Sequence, residues 1–282
     1  MRLRWETALD WAQVDGVRQV LGADAELSEF TGGEHLIVTD DGAVLGYAHL
    51  NTKGDAFGRQ IAHVFVHPDH RRRGVGTRMV ESVLEHTDAP LRFWAKGDHP
   101  GAAQLASRFG LQRVRELLKM AVDFAAPETP ALVTPSWPDG VRVRTFTPGA
   151  DEDAVIEVNR RAFDWHPEQG ALTADDLRAA QREPWFDADG FFLAVDAHDR
   201  VIGFHWTKVH PDGTGEVYVV GVHPDAQGGG LGKALTVVGL RHLVDAGHPR
   251  VILYVESDNG PAVAVYTRLG FRTVKTDVQY AR

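Results

Sequence analysis

Two glycine-rich corners hold the residues whose types and spacing are best suited to chemistry. One reads Arg71-Arg72-Arg73-Gly74-Val75-Gly76, the other Gln227-Gly228-Gly229-Gly230-Leu231-Gly232. Each follows a β-rich run that stops at His-Pro-Asp, once at His67-Pro68-Asp69 and once at His223-Pro224-Asp225. Proline cannot donate to a strand ladder, so the strand ends there. A helix opening next presents unpaired N–H groups and a partial positive charge. Glycine allows positive φ and close approach of a ligand to the backbone. The chemistry such a corner offers is anion binding, and a diphosphate fits it well. A tight strand-to-helix turn without a ligand is the alternative for a single corner. Recurrence in the same context favours the anion site. Neither corner is a Walker A loop, which needs Gly-Lys-[Ser/Thr], and neither has the G-x-G-x-x-G spacing of a dinucleotide fold.

The elements that position the corners are repeated with them. Val44-Leu45-Gly46-Tyr47 recurs as Val201-Ile202-Gly203-Phe204, and Arg108-Phe109-Gly110-Leu111 as Arg268-Leu269-Gly270-Phe271. The order is kept, with an offset of 156 residues from His67 to His223 and 160 from Gly110 to Gly270. That period is too long for a solenoid and marks a duplicated domain. Pro127, Pro130, Pro135 and Pro138 crowd together without helical or strand period, as in a stiff linker. The expected division is lobe 1 at 1–125, a Pro-rich linker at 126–140 and lobe 2 at 141–282.

Within each lobe an early helical region comes first. In lobe 2 it covers Asp153–Phe163 and Thr173–Arg182, the latter with Thr173 as N-cap. Strands are predicted at His35–Thr39, Val44–Asn51 and Ile61–Val66 in lobe 1, and at Phe191–Val195, Val201–Val209 and Glu216–Val222 in lobe 2. The corners then open helices over Gly76–His86 and Gly232–Ala246. A strand (Leu91–Ala95, Val251–Glu256) and a helix (Ala102–Phe109, Pro261–Leu269) follow, and a last strand closes each unit. Each lobe reads as a mixed α/β sheet with covering helices.

Composition narrows the function. A chain of 282 residues with 43% hydrophobic and 24% charged residues is globular, with the length of about two domains. A net charge of −9 argues against a general nucleic-acid binder, and Arg71-Arg72-Arg73 is explained by its place in the corner. The absence of Cys excludes disulfides, thiolate metal sites and a cysteine nucleophile. His63, His67 and His70 are scattered by their strand-then-turn context, so no metal is expected. The N-terminus lacks a continuous apolar segment and no run approaches the ~18 apolar residues of a membrane span, so a cytoplasmic chain is expected.

These motifs resemble the GCN5-related N-acetyltransferase (GNAT) superfamily. The resemblance implies two tandem copies of its α/β fold, each a mixed, mostly antiparallel central sheet flanked by helices. It implies acetyl-coenzyme A as cosubstrate, with its pyrophosphate on the [Gln/Arg]-x-x-Gly-x-[Gly/Ala] corner and its pantetheine arm along the preceding strand. Carried over, this assigns Val64, Phe65, Val66, Arg72, Arg73, Gly74, Val75, Gly76 and Thr77 in lobe 1. In lobe 2 it assigns Val220, Gly221 and Val222 with Gln227, Gly228, Gly229, Gly230, Leu231, Gly232 and Lys233. Asn259 and the helix start Gly260, Pro261, Ala262, Val263 and Ala264 would also meet the coenzyme. Gly229 stands where the family often has Arg or Lys, a departure for which Lys233 would compensate.

Acetyl transfer to an amine needs removal of a proton from the ammonium, a donor for the oxyanion and an acid for the departing thiolate. The family's usual acid is a Tyr on the helix before the last Gly turn. Its frequent base is a carboxylate at the start of the strand before His-Pro. Tyr266 and Glu216 match these places in lobe 2, whereas at the repeat offsets lobe 1 has Ala106 for Tyr266 and Gln60 for Glu216. The alternatives are a core aromatic and a solvated carboxylate; their joint loss in lobe 1 favours function. Lobe 2 is therefore expected to be catalytic and lobe 1 non-catalytic.

A closer likeness, to a tandem branch of the family that acetylates the cysteinyl amine of a small sugar–polyol conjugate, is carried in lobe 2 by four stretches. They are His166-Pro167-Glu168-Gln169-Gly170, Gly203-Phe204-His205-Trp206-Thr207-Lys208-Val209-His210-Pro211-Asp212, Gly215-Glu216-Val217-Tyr218-Val219, and Leu253-Tyr254-Val255-Glu256-Ser257-Asp258-Asn259. It implies a substrate site lined by Glu168, Lys208, Glu216 and Tyr254, with a lobe 1 carboxylate, Glu29 with Glu26 as its competitor, also reaching the substrate. The expected partners are a small-molecule amine and the coenzyme, with no nucleic acid, no membrane and a monomeric chain. Rival readings are a GNAT enzyme for another small amine or a protein N-terminus, and a non-catalytic acetyl-coenzyme A-binding protein.

Overall fold

The computed structural model describes residues 1–22, 25–167 and 169–282. Its elements are β1 (Arg2–Glu6), α1 (Trp11–Leu21), β2 (Glu34–Asp40), β3 (Ala43–Asn51), β4 (Gln60–Val66), α2 (Val75–His86), β5 (Leu91–Ala95), α3 (Pro100–Arg108) and β6 (Gln112–Asp123). After the Pro-rich stretch come β7 (Arg142–Thr145), α4 (Glu152–Ala162), α5 (Ala174–Ala180), β8 (Phe191–Val195), β9 (Val201–Val209) and β10 (Gly215–Val222). The chain ends with α6 (Leu231–Asp245), β11 (Arg250–Glu256), α7 (Gly260–Arg268) and β12 (Arg272–Ala281). Two compact units result: unit 1 is Met1–Leu117 with Lys275–Arg282, and unit 2 is Leu118–Val274.

Each unit has a six-strand run, β1-β2-β3-β4-β5-β12 in unit 1 and β6-β11-β10-β9-β8-β7 in unit 2. The β4–β5 and β10–β11 pairs are parallel. Their neighbours β3–β4, β9–β10 and β5–β12 are antiparallel.

The sequence reading closes each lobe with its own last strand, and here the structure differs. The last strands are exchanged. β12 pairs with β5 from Val278↔Ala95 to Ala281↔Arg92, so Val278 and Tyr280 join the core of unit 1 with Leu36, Met79 and Phe93. The end of β6 lies beside β11, and Met120 and Val122 join Leu253 and Phe271 in the core of unit 2. Alternation along a strand specifies its two faces but not its partner. In a duplicated chain the two receiving edges are equivalent, so either last strand fits either edge, the condition under which elements swap.

The Pro-rich stretch is packed rather than free. The Thr129 hydroxyl donates to the Asp123 carbonyl at 2.6 Å. Leu132 packs on the core of unit 2, and Trp137 packs with Val141 against Leu231 and Leu235 of α6.

Local chemistry accounts for the helices that hold the corners. α2 buries Val75, Met79, Val80 and Val83, one helical face, against the sheet. α6 buries Leu231, Ala234, Leu235 and Leu240 in the same way. The repeated glycine of the β3 and β9 motifs lets these helices approach the sheet. A Cβ on Gly46 would lie 2.6 Å from Met79 Sδ, and one on Gly203 2.9 Å from Leu235 Cδ1. Thr173 caps α5 with a reciprocal bond to Asp176, as its sequence predicts.

Candidate active site

Both corners fold alike. After His223, Pro224–Ala226 makes one 3-10 turn, and the Gln227 amide donates to the Val222 carbonyl at 3.1 Å. In unit 1 the Arg71 Nε donates to the Val66 carbonyl at 3.2 Å. Gly74 (φ 81°) and Gly230 (φ 82°) then take the left-handed conformation and open α2 and α6 with no side-chain cap. The first N–H groups of both helices are thus left to a ligand or solvent. A second left-handed residue stands two positions earlier, Arg72 (φ 62°) in unit 1 and Gly228 (φ 89°) in unit 2. A Cβ on Gly229 would touch Pro138 Cγ at 3.7 Å, so the Pro-rich stretch borders this corner. Lys233 is exposed in the first turn of α6.

Beside each corner the parallel strands splay. The β10–β11 register runs only from Gly215↔Val251 to Val217↔Leu253, and that of β4–β5 from Gln60↔Leu91 to His63↔Trp94. From Val219 to Val222, and from Val64 to Val66, one strand edge has no neighbouring strand among the described residues. Its main-chain groups are available to an extended ligand carrying amides. In unit 1 the splay opens into a cavity of about 730 Å³ lined by Val64–Val66, Arg72, Gly74, Gly76, Thr77 and Leu105. That volume lies in the range of ~300–1,000 Å³ found for ligand pockets.

Of the two equivalent strands β4 and β10, it is β10 that carries a bulge. Its pairing with β9 shifts between Val217↔Thr207 and Val219↔Trp206, leaving Tyr218 as the extra residue. β4 pairs with β3 without interruption, Asn51 opposite Ile61. The bulge corrects the repeat alignment. Glu216 lies opposite Lys208 and beside Ile252, and the equivalent place in unit 1, opposite Asn51 and beside Arg92, is Ile61 rather than Gln60. The sequence offset misses this because it counts the bulged residue as an ordinary one. Ala106 keeps its place as the counterpart of Tyr266: α3 and α7 start at equivalent caps, where His99 accepts from Gly101 N and Asn259 from Ala262 N.

Glu216 is buried, and its Oε2 lies 2.6 Å from His210 Nε2. Lys208, His210 and Glu216 share one face of the β9–β10 hairpin, because residues two apart on a strand point the same way. Burial raises the Glu216 carboxyl above the usual carboxylate range, against the opposing pull of His210, Lys208 and Lys119. Lys208 Nζ sits 4.5 Å over the Trp185 ring and 5.2 Å from that of Tyr218, contacts worth ~0.5–2 kcal/mol that hold the ammonium beside the carboxylate. Tyr266 is half-buried against Phe271, and burial pushes its phenol up to about 12.

Tyr254 is 46% exposed and carries Lys119 Nζ over its ring at 5.6 Å. Glu256, buried two residues on, lies 3.6 Å from His166 Nε2. Glu168 lies outside the described residues. Glu29 belongs to unit 1, where its carboxylate accepts from Glu26 N at 2.8 Å and meets Lys96 Nζ at 3.6 Å. The sequence reading took Trp185 only as core or pocket wall, and it did not single out His210, Lys119 and Glu256, which the structure places in contact with Glu216, Tyr254 and His166. His210 was findable as the residue two beyond Lys208 and facing Glu216 across a tight hairpin; Lys119 was not, because it arrives on the exchanged strand. Among the described residues no group of three or more His, Asp or Glu side chains is arranged to hold a metal, and no helix is long and apolar enough to cross a membrane.

Comparison with known proteins agrees with this geometry. Residues 4–111 and 154–271 each match the acetyltransferase (GNAT) family. A mycothiol acetyltransferase of Saccharomonospora viridis is 57% identical over 99% of this chain and 98% of its own. One from Amycolatopsis mediterranei is 52% identical with the same coverage. Among solved structures, a GCN5-related N-acetyltransferase from Sphaerobacter thermophilus superposes with a TM-score of 0.77 at 22% identity, covering 99% of this chain and 95% of its own. A tandem GNAT protein from the clavulanic acid biosynthesis pathway gives 0.66 at 21%, covering 100% and 98%. At these identities the two structures speak for the fold alone.

Proposed function

From the premise that the chain belongs to the acetyltransferase (GNAT) family, and within it to the mycothiol acetyltransferases, we propose that it moves the acetyl group of acetyl-coenzyme A to the cysteinyl amine of cysteinyl-glucosaminyl-inositol. The products are mycothiol and coenzyme A. The observation that carries the substrate assignment is the 57% identity spread over 99% of the chain.

The residues of unit 2 supply the coenzyme grip, the base and the acid of the reaction. The uncapped start of α6 offers its N–H groups to the diphosphate, and the free edge of β10 offers hydrogen bonds to the pantetheine amides. Lys208 and Tyr254 line the acceptor side. Glu216 removes a proton from the ammonium, directly or through one water. The amine nitrogen attacks the thioester carbonyl, the C–N bond forms and the C–S bond breaks. Tyr266 protonates the leaving thiolate, and the second proton of the new amide nitrogen returns to the phenolate, directly or through water; a phenol pushed to about 12 holds its proton at neutral pH between turnovers. Attack is direct within a ternary complex; the chain has no Cys to carry an acyl group. The cavity of unit 1 supports a second coenzyme site without turnover, since Ile61 and Ala106 have no proton to exchange.

The test is free-thiol release from acetyl-coenzyme A with cysteinyl-glucosaminyl-inositol, compared with simple amines and with peptides bearing a free N-terminus. A strong preference for the first is expected. Equal rates with all three would remove the substrate assignment and leave a general amine acetyltransferase.

A further inference from the structure

A buried base has to lose the proton it takes, and Glu216 is poorly placed to pass it to water. Its side chain is 8% exposed, whereas that of His210, 2.6 Å away, is 30% exposed. The hairpin fixes the pair. His210 N donates to the Thr214 carbonyl and Gly213 N to the His210 carbonyl, both at 2.9 Å, and Thr214 N donates to Asp212 Oδ1 at 2.9 Å. On the outer side His248 Nδ1 lies 2.9 Å from the Gly213 carbonyl, a contact that ties the turn to the end of α6.

We propose that His210 is the proton outlet of the site: it positions Glu216 and carries to solvent the proton that Glu216 takes from the amine. This rests on the reading of Glu216 as base. The step balances. The ammonium loses one N–H bond, and Glu216 gains an O–H proton and passes it to the free Nε2 of a neutral imidazole in its Nδ1–H tautomer. The imidazolium releases one N–H proton to water, and solvent exchange restores the starting tautomer.

The charged groups acting on the pair are few. Lys208 on β9 and Lys119 on β6 favour the ionised carboxylate, as His210 does. The Tyr218 phenol is raised by burial and by Glu216, so it stays protonated, and Asp212 at the hairpin turn interacts with His210. Neither lysine offers a route for the proton, because an ammonium has no acceptor site. The imidazole is the group next to Glu216 that has both a donor and an acceptor nitrogen.

The experiment is initial-rate kinetics across pH with the full chain, acetyl-coenzyme A and cysteinyl-glucosaminyl-inositol, on His210→Gln, His210→Ala and Glu216→Gln. His210→Gln keeps a donor beside Glu216 but cannot accept the proton. The expected result is a fall in kcat of about ten- to a hundredfold in both His210 variants, within the range of general catalysis. KM for either substrate should change by no more than about twofold. The acid limb of kcat/KM should move to higher pH in His210→Ala, because a group that lowers the Glu216 pKa is gone. Added imidazole should restore part of the rate to His210→Ala and none to Glu216→Gln. A slow Glu216→Gln beside a His210→Gln with wild-type kcat and pH profile would overturn the outlet and leave the base intact. A fast Glu216→Gln would overturn the base itself. A kcat loss in His210→Ala with no movement of the acid limb and no rescue by imidazole would reduce His210 to a structural role.

Discussion

Unit 1 and unit 2 repeat the same scaffold up to the point where a proton must move. Both have the His-Pro turn, the left-handed glycine, the uncapped helix and the splayed parallel strands. They part at three equivalent places. Glu216 corresponds to Ile61 and Tyr266 to Ala106. At the end of the second parallel strand, one residue beyond Val255 or Ala95, Glu256 corresponds to Lys96. Lys96 is held between Glu29 at 3.6 Å and Asp277 at 3.5 Å. Unit 2 thus has two buried carboxylates where a cationic amine is expected, and unit 1 has an apolar side chain and a cation. Under the proposed roles, the difference teaches that gripping a coenzyme and using it are separable. Backbone geometry shared by both copies would serve the first, and a few side chains present in one copy the second.

The sharpest way to break this comparison is Glu216→Gln. It keeps the shape and removes the base, and turnover should fall by ~10²–10⁴ in a steady-state assay at neutral pH. Full activity would mean that unit 2 does not differ from unit 1 where it matters. Tyr266→Phe should cost less, roughly ten- to a hundredfold, because water can protonate a thiolate in place of a phenol. Raising the pH in the wild type should bring in activity as Glu216 ionises, above the usual carboxylate range because burial holds its pKa up. No falling limb should come from Tyr266 until the pH nears its pKa of about 12. A limb well below that, abolished by Tyr266→Phe, would show the phenol ionising early.

Acid should separate the units by stability. Unit 1 buries an aromatic cluster of His35, His49 and His63 around Phe30. His35 Nδ1 lies 2.8 Å from the Tyr47 hydroxyl and His49 Nε2 2.8 Å from the Gly32 carbonyl, while His63 Nδ1 has no partner. Burial lowers all three, His63 to about 3. Such groups bind protons more readily in the unfolded chain. Their stabilisation is therefore complete above the unfolded pKa of about 6.5 and is lost as pH falls through the folded values. Unit 2 has one such residue, His205, lowered to about 4. Peptide-resolved hydrogen exchange between neutral pH and pH ~4 should show β2, β3 and β4 losing protection before β8, β9 and β10. The reverse order would assign the acid sensitivity to unit 2.

Much of this was legible in the residues. The duplication, the corners and the strands Phe191–Val195, Val201–Val209 and Leu91–Ala95 follow from local pattern, and the structure places those strands at the same bounds. What depends on distant partners was not legible. The exchanged strands have the same alternation whichever edge receives them. The bulge at Tyr218 shows only as a broken register with β9, so the counterpart of Glu216 was misread by one residue. The His210–Glu216 contact joins residues six apart that meet because a hairpin folds them together. Lys119 approaches Tyr254 for a reason visible only in the pairing order.

The smallest expected effect is also informative. If unit 1 is silent because several side chains are missing, restoring one of them should not awaken it. Ala106→Tyr places a phenol at the position equivalent to Tyr266, but Ile61 still offers no base and Lys96 still repels an ammonium. Turnover of the full chain should stay within about twofold of wild type, since removing one of several deficits does not lower a barrier set by the others. Ala106 is 4% exposed in the core of unit 1 and lines its cavity, so the larger side chain should cost ~1–3 kcal/mol in stability unless it swings into the open space. Thermal unfolding measures that cost. Activity measured on Ala106→Tyr combined with Glu216→Gln isolates any turnover by unit 1. A rate in the double variant clearly above that of Glu216→Gln alone would show that a phenol suffices, and that the two copies differ in degree rather than in kind.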